Sequence, residues 1–171
     1  MEDRDKDLCG AVTATPLVVD QAMRFNGACH CGDVKATITT LKPPSALGVR
    51  TCQCSFCRRH GAVNVSDPDG LTEIACDERR VERYRFALET ADFVICRRCG
   101  VYVAAVVGSG DNVRSTLNVA GLAIAAFTGV EERPIDYDAE TTDVRTARRS
   151  TRWTPTRFTD AKLRASYFGP H

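Results

Sequence analysis

The sequence predicts a mainly β domain, built of short antiparallel strands and pinned by bound metal. Three observations carry this. Apolar residues recur with period two in several short runs, Pro, Gly and Asp turn signals separate those runs, and seven of the nine cysteines sit in tight local groups. With 171 residues and 43% hydrophobic content, the chain can fill one ordinary core but hardly two. The expected division is a flexible N-terminal arm over residues 1–22, a metal-binding β domain over 23–155 and a C-terminal tail over 156–171.

The arm mixes charges with Thr and Pro and shows no period; its Cys9 lacks a nearby cysteine and reads as an unpaired thiol. Val34, Ala36 and Ile38 then alternate with Lys35, Thr37 and Thr39, the pattern of a strand with one buried face, and Lys42-Pro43-Pro44-Ser45 ends it. Residues 46–51 can return as a second strand. The cysteine-rich stretch that follows closes on Arg58-Arg59-His60-Gly61, which suits a turn or a short helix. Val63-Asn64-Val65 and Leu71-Thr72-Glu73-Ile74 read as short strands around the turn Asp67-Pro68-Asp69-Gly70.

Further on, Val81, Arg83 and Arg85 alternate with Glu82, Tyr84 and Phe86. Phe93-Val94-Ile95 and the run Val101 to Val107 flank Cys96-Arg97-Arg98-Cys99-Gly100, which predicts a hairpin with a metal clip at its tip. Val113 to Leu122 reads as another strand, and Cys76 as a small buried hydrophobe. From Glu131 the chain is polar and lacks a strong period. Its arginines, Arg145, Arg148, Arg149 and Arg152, read as solvated charge able to meet an acidic partner.

Charge excludes some functions. The 23 basic and 22 acidic residues nearly cancel, so the whole molecule has no strong field for nucleic acid or an anionic membrane. No apolar run approaches the roughly 20 residues of a membrane helix. The start, Met1-Glu2-Asp3-Arg4-Asp5-Lys6-Asp7, is unlike a signal peptide, which makes a cytoplasmic location the expectation. Thiols stay reduced there, so the grouped cysteines read as zinc ligands rather than disulfides.

The cysteines do not divide into fours. Cys29 and Cys31 precede Gly32, Cys96 and Cys99 precede Gly100, and glycine after a ligand lets the chain turn sharply round an ion. These two knuckles are expected to close on one structural zinc, whose loss costs folding free energy. Cys52, Cys54 and Cys57 remain. Three thiolates leave one position open to a water, an alkoxide or a thiolate, unless His60, three residues after Cys57, closes the site as a fourth ligand. Spacing leaves both arrangements standing.

In the order Cys-x-Cys-Gly, Cys-x-Cys-x-x-Cys-Arg, Cys-x-x-Cys-Gly, the chain resembles the glutathione-dependent formaldehyde-activating enzyme family, from about Gly27 to Leu122 and more weakly through Pro134 to Trp153. The resemblance implies an Mss4-like β-tent. It also implies two Zn²⁺ per chain, a structural one on Cys29, Cys31, Cys96 and Cys99 and a catalytic one on Cys52, Cys54 and Cys57, with His60 beside the metal rather than on it. Gln53 and Ile95 stand where the family often has His and Phe.

The implied activity is a carbon–sulfur lyase, or the reverse synthase, whose partner is a small-molecule thiol adduct such as one of glutathione. Arg58 and Arg59 are candidates to bind substrate carboxylates, and His60 is the candidate to move a proton. The rival is a non-catalytic zinc module that binds protein or nucleic acid through the arginine-rich tail. Nucleic acid is the less expected partner on overall charge, a membrane is not expected, and nothing in the sequence fixes the oligomeric state.

Overall fold

The computed structural model describes residues 21–108 and 112–161. Most of the expected N-terminal arm, Cys9 included, lies outside the described residues, as does the end of the expected tail. Among the described residues the chain runs through β1 (Met23–Ala28), β2 (Lys35–Thr40), β3 (Arg50–Cys52), α1 (Ser55–Arg59), β4 (Asn64–Val65) and β5 (Leu71–Ala75). It continues through β6 (Val81–Tyr84), β7 (Asp92–Cys96), β8 (Tyr102–Val107), β9 (Arg114–Asn118), β10 (Arg133–Ile135), α2 (Thr142–Arg152) and β11 (Thr154–Phe158).

The mainly β expectation holds, and the alternation in β2 does what its pattern requires. Val34, Ala36, Ile38 and Thr40 point inward while Lys35 faces solvent. β2 pairs antiparallel with β1 on one edge and with β5 on the other. β6, β7 and β8 form an antiparallel meander, with the knuckle Cys96–Cys99 at the turn between β7 and β8 as the sequence predicts. β9 is the pivot: one edge takes β8, and the other takes β11 at Ser115 and β4 at Asn118.

Two local readings need correction, at residues 46–51 and after Glu131, while the short strands expected around the Asp67–Gly70 turn are present. Residues 46–51 do not return beside β2; a 3-10 turn at Pro44–Ala46 redirects the chain, and β3 pairs instead with β4 and β10. β4 and β5 do not pair with each other across the Asp67–Gly70 turn. The turn is a bridge, since the buried Asp67 carboxylate accepts from Thr40 Oγ1 and Lys42 Nζ, both at 2.6 Å, and the Asp67 amide donates to Thr154 Oγ1. Finally, the segment after Glu131 is structured. β10 runs parallel to β3 and β11 parallel to β5, so the sheet is mixed rather than antiparallel throughout. β11 also crosses the boundary drawn at 155/156.

Two apolar clusters result. The larger holds Val34, Ile38, Ile74, Val94, Leu117 and Leu122, with Cys29 and Cys96 at its edge. The smaller joins Phe93, Tyr102, Ala105 and Trp153 to Cys57, and Phe56 packs edge-on against Phe93 and Tyr102. Each cysteine group thus sits on its own cluster.

Candidate metal centres and the cleft

Cys29 and Cys31 leave β1 on a tight turn in which the Gly32 amide donates to the Cys29 carbonyl, and the Gly100 amide closes the second knuckle on Cys96 in the same way. Gly32 at φ +81° and Gly100 at φ +73° occupy the left-handed region, which explains glycine at both positions. The four sulfurs Cys29, Cys31, Cys96 and Cys99 all lie within 4.8 Å of one another. Sγ of Cys31 is 3.7 Å from that of Cys29 and 3.5 Å from that of Cys96. A tetrahedron with metal–sulfur bonds of about 2.3 Å has sulfur–sulfur edges of about 3.8 Å, so the donor set fits a zinc-sized ion. Two knuckles separated by 65 residues meet there.

The second group is local. Cys54 caps α1, its sulfur accepting from the Cys57 amide at 3.4 Å, and this first helical turn brings Cys57 back beside Cys54 and Cys52. The three sulfurs lie within 4.8 Å of one another, and among the described residues no other Cys, His, Asp or Glu joins them. Without an ion the trio shares charge unevenly. Hydrogen bonds from Cys52 and then Cys57 draw the Cys54 thiol down to about 2, while Cys57 is driven up by Cys52, Cys54 and burial. Three sulfurs this close together are a donor set that a cation can share.

This trio opens into a cleft of about 660 Å³, counting the space at its mouth. Phe86, Phe93 and Tyr102 form one wall. The Tyr102 hydroxyl donates to Asn64 Oδ1 at 3.4 Å; burial first, then the charges of Cys57, Cys52 and Cys54, keep its pKa well above the ordinary tyrosine value. A second part of the lining, the basic wall, holds Arg50 from β3 and Arg145, Arg148 and Arg149 from α2. Arg148 grips Glu140 with two bonds, of 2.6 and 2.8 Å, and lies 3.8 Å over the Tyr137 ring. Arg149 is only 8% exposed, donates from Nη1 to the Thr90 carbonyl and hydroxyl, and is drawn down to about 10, by burial first and by Arg145 and Arg148 next.

The structure does not bring Arg58, Arg59 or His60 into the lining of this cleft. All three residues are exposed at the end of α1, where the His60 ring packs tilted against Phe56 with 4.4 Å between centroids. His60, which spacing leaves open as a fourth ligand, is not among the groups gathered at the sulfurs. The basic wall comes instead from the segment read as solvated tail. The missed signal was spacing: Arg145, Arg149 and Trp153 recur every four residues and share one helical face. Tyr102 and Asn64 carried no signal, for nothing local marks a strand residue as facing a site built elsewhere in the chain. Cys76 is half-buried against the larger core and joins neither group.

Comparison with known proteins bears on this arrangement. The crystal structure of a Rhodobacter sphaeroides protein is 31% identical over 64% of this chain and 99% of its own, with a TM-score of 0.48. None of the curated proteins is significantly similar. The pattern of the glutathione-dependent formaldehyde-activating enzymes matches residues 24–128, which spans both cysteine groups and most of the sheet, and the chain belongs to that family.

Proposed function

We propose that this protein is a zinc-dependent carbon–sulfur lyase, or the synthase in the reverse direction, acting on the adduct of a glutathione-like thiol with a small carbonyl compound. The observation that carries the reading is the contrast between the two cysteine groups. Four sulfurs, enough to fill a tetrahedral shell, gather away from the cleft, whereas three sulfurs with no fourth ligand among the described residues line it. A zinc ion held by three thiolates would supply one exchangeable position and lower the pKa of what binds there.

The chemistry asked of the chain is modest. In the synthetic direction sulfur adds to the carbonyl carbon, and the thiol proton ends on the carbonyl oxygen; cleavage reverses both changes with no net oxidation. Phe86, Phe93 and Trp153 shield the reacting atoms from water. Tyr102, kept protonated, can turn its one O–H from the long bond to Asn64 toward the adduct oxygen. His60, Arg58 and Arg59 lie outside the cleft lining, and the reading assigns them no step.

The non-catalytic module has less support. Its binding surface was to be the arginine-rich segment, yet the side chains of Arg145 and Arg148 are only 15% and 18% exposed and Arg149 is buried. Among the described residues no helix is long and apolar enough to cross a membrane.

The test is exchange of formaldehyde with glutathione followed by nuclear magnetic resonance, alongside native mass spectrometry of the reduced protein. Two zinc ions per chain, with exchange that Cys54→Ala abolishes, are expected. Equal exchange in Cys54→Ala, or no exchange across a panel of thiols and aldehydes, would overturn the reading.

A further inference from the structure

The basic wall of the cleft is under-satisfied. Among the described residues only four buried side-chain nitrogen or oxygen atoms lack a hydrogen-bond partner, and two of them are Arg145 Nε and Arg149 Nε, one helical turn apart in the same wall. Arg145 Nε is 3.6 Å from Glu140 Oε2, within ion-pair range but beyond a hydrogen bond. Neither Arg149 nor Arg50 has an ion pair among the described residues; Arg50 gives its two bonds to the Gly48 carbonyl and Ser66 Oγ. Four guanidinium groups thus face two carboxylates, Glu140 on Arg148 and Asp138 at the rim.

Burying charge and leaving donors unpaired costs free energy that a fold tolerates when a ligand supplies the missing partner. Of the wall, Arg50 lies within the family match and the α2 arginines lie beyond its end at residue 128.

We propose that Arg145 and Arg149, supported by Arg50, form a carboxylate subsite in the three-cysteine cleft, so that the protein takes thiols bearing a carboxylate and rejects neutral ones. The inference rests on the reading that a thiol binds at Cys52, Cys54 and Cys57. Geometry and charge agree, because guanidinium N–H groups in a partly dry wall suit a planar anion better than any neutral group.

The test is isothermal titration calorimetry of the zinc-loaded full-length protein with three probes: 3-mercaptopropionate, 2-mercaptoethanol and propionate. The carboxylate-bearing thiol should bind on the order of ten- to a hundredfold more tightly than the neutral thiol, the range of a charge-assisted hydrogen bond. Propionate alone should be much weaker than 3-mercaptopropionate. Arg145→Gln and Arg149→Met should each bring the ratio of the two thiols to within about threefold, the loss of one such bond, and leave 2-mercaptoethanol binding as it was. Arg149→Lys, which keeps the charge and loses the fork, should fall between; thermal melts identify any variant that has lost the fold, and Arg145→Gln, further from the core, then carries the result.

If neither thiol binds, the reading of the cysteine cleft fails and this inference fails with it. If both bind alike, or the ratio survives the α2 variants, or it follows Arg58→Ala and Arg59→Ala instead, the subsite alone is overturned. Propionate binding as tightly as 3-mercaptopropionate would make the wall a site for free anions and overturn the claim about the thiol.

Discussion

Removing one ligand from each knuckle, Cys31→Ala with Cys99→Ala, should destabilise the protein far more than removing two ligands from the local trio, Cys52→Ala with Cys54→Ala. All four cysteines are half-buried, so the packing lost on truncation is alike in the two variants. What differs is the chain each group closes. An ion joining Cys31 to Cys96 ties positions 65 residues apart, and a cross-link of that span removes about 4 kcal/mol of chain entropy from the unfolded state. The span from Cys52 to Cys57 is five residues, for which the same relation gives about 2 kcal/mol. Against a typical stability of about 5–15 kcal/mol, the first loss leaves the fold marginal and the second does not. The assay is urea denaturation of reduced, zinc-loaded protein. With a slope of about 2 kcal/mol per molar, the knuckle variant should unfold about 2 M earlier than wild type and the trio variant about 1 M earlier. Chelation of wild type empties both groups and should cost the sum of the two, about 3 M. A trio variant that loses as much as the knuckle variant would refute the division into a fastening site and a working site.

Other outcomes follow from single contacts. Tyr102→Phe deletes a hydroxyl whose one bond, to Asn64 at 3.4 Å, is long; stability should change by no more than about 1 kcal/mol. Thiol–formaldehyde exchange should meanwhile fall at least about tenfold, and unchanged exchange would remove the hydroxyl from the proposed chemistry. For Asp67, burial alone would raise the carboxyl, but Lys42 and Thr40 hold it below the ordinary value. Its contribution is therefore present above the unfolded carboxyl pKa of about 4 and lost as pH falls through the folded value, so Asp67→Asn should flatten the acid limb of a stability–pH curve measured by urea melts. Gly100→Ala meets no atom within 4 Å, so only its φ of +73° opposes it; a loss of about 1–2 kcal/mol with zinc still bound is expected from thermal melts and metal titration.

Where local pattern and tertiary environment agree, the sequence was readable. β2 alternates because one face is core, the β7–β8 hairpin frames its knuckle, and Gly32 and Gly100 mark where the chain must turn left-handed. Pairing was harder. β3 and β4 are two or three residues long, too short for a period to choose partners, and Asp67 decides their path through bonds to Thr40, Lys42 and Thr154 that no local window contains. α2 was missed for another reason. Its residues, Thr-Asp-Val-Arg-Thr-Ala-Arg-Arg-Ser-Thr-Arg, include no apolar stripe, and Val144 faces solvent. The face it turns inward is cationic, Arg145 and Arg149 followed by Trp153, and hydrophobic periodicity cannot detect a helix whose buried side carries charge.

That failure bears on function. A helix that buries guanidinium groups gains little from the hydrophobic effect, and here it leaves two donors without partners as well. Helix propensity does not compensate, because three threonines and a serine weaken it. What holds α2 in place is polar and specific: the Thr141 cap, the Glu140 clasp on Arg148, and Arg149 on Thr90. Each of these fixes an arginine toward the cleft or fixes the helix that carries it. Conflict between local preference and observed structure concentrates where a site is built. In this chain the cysteine framework follows from simple rules, and the wall that breaks them is the part most directly charged with choosing what enters.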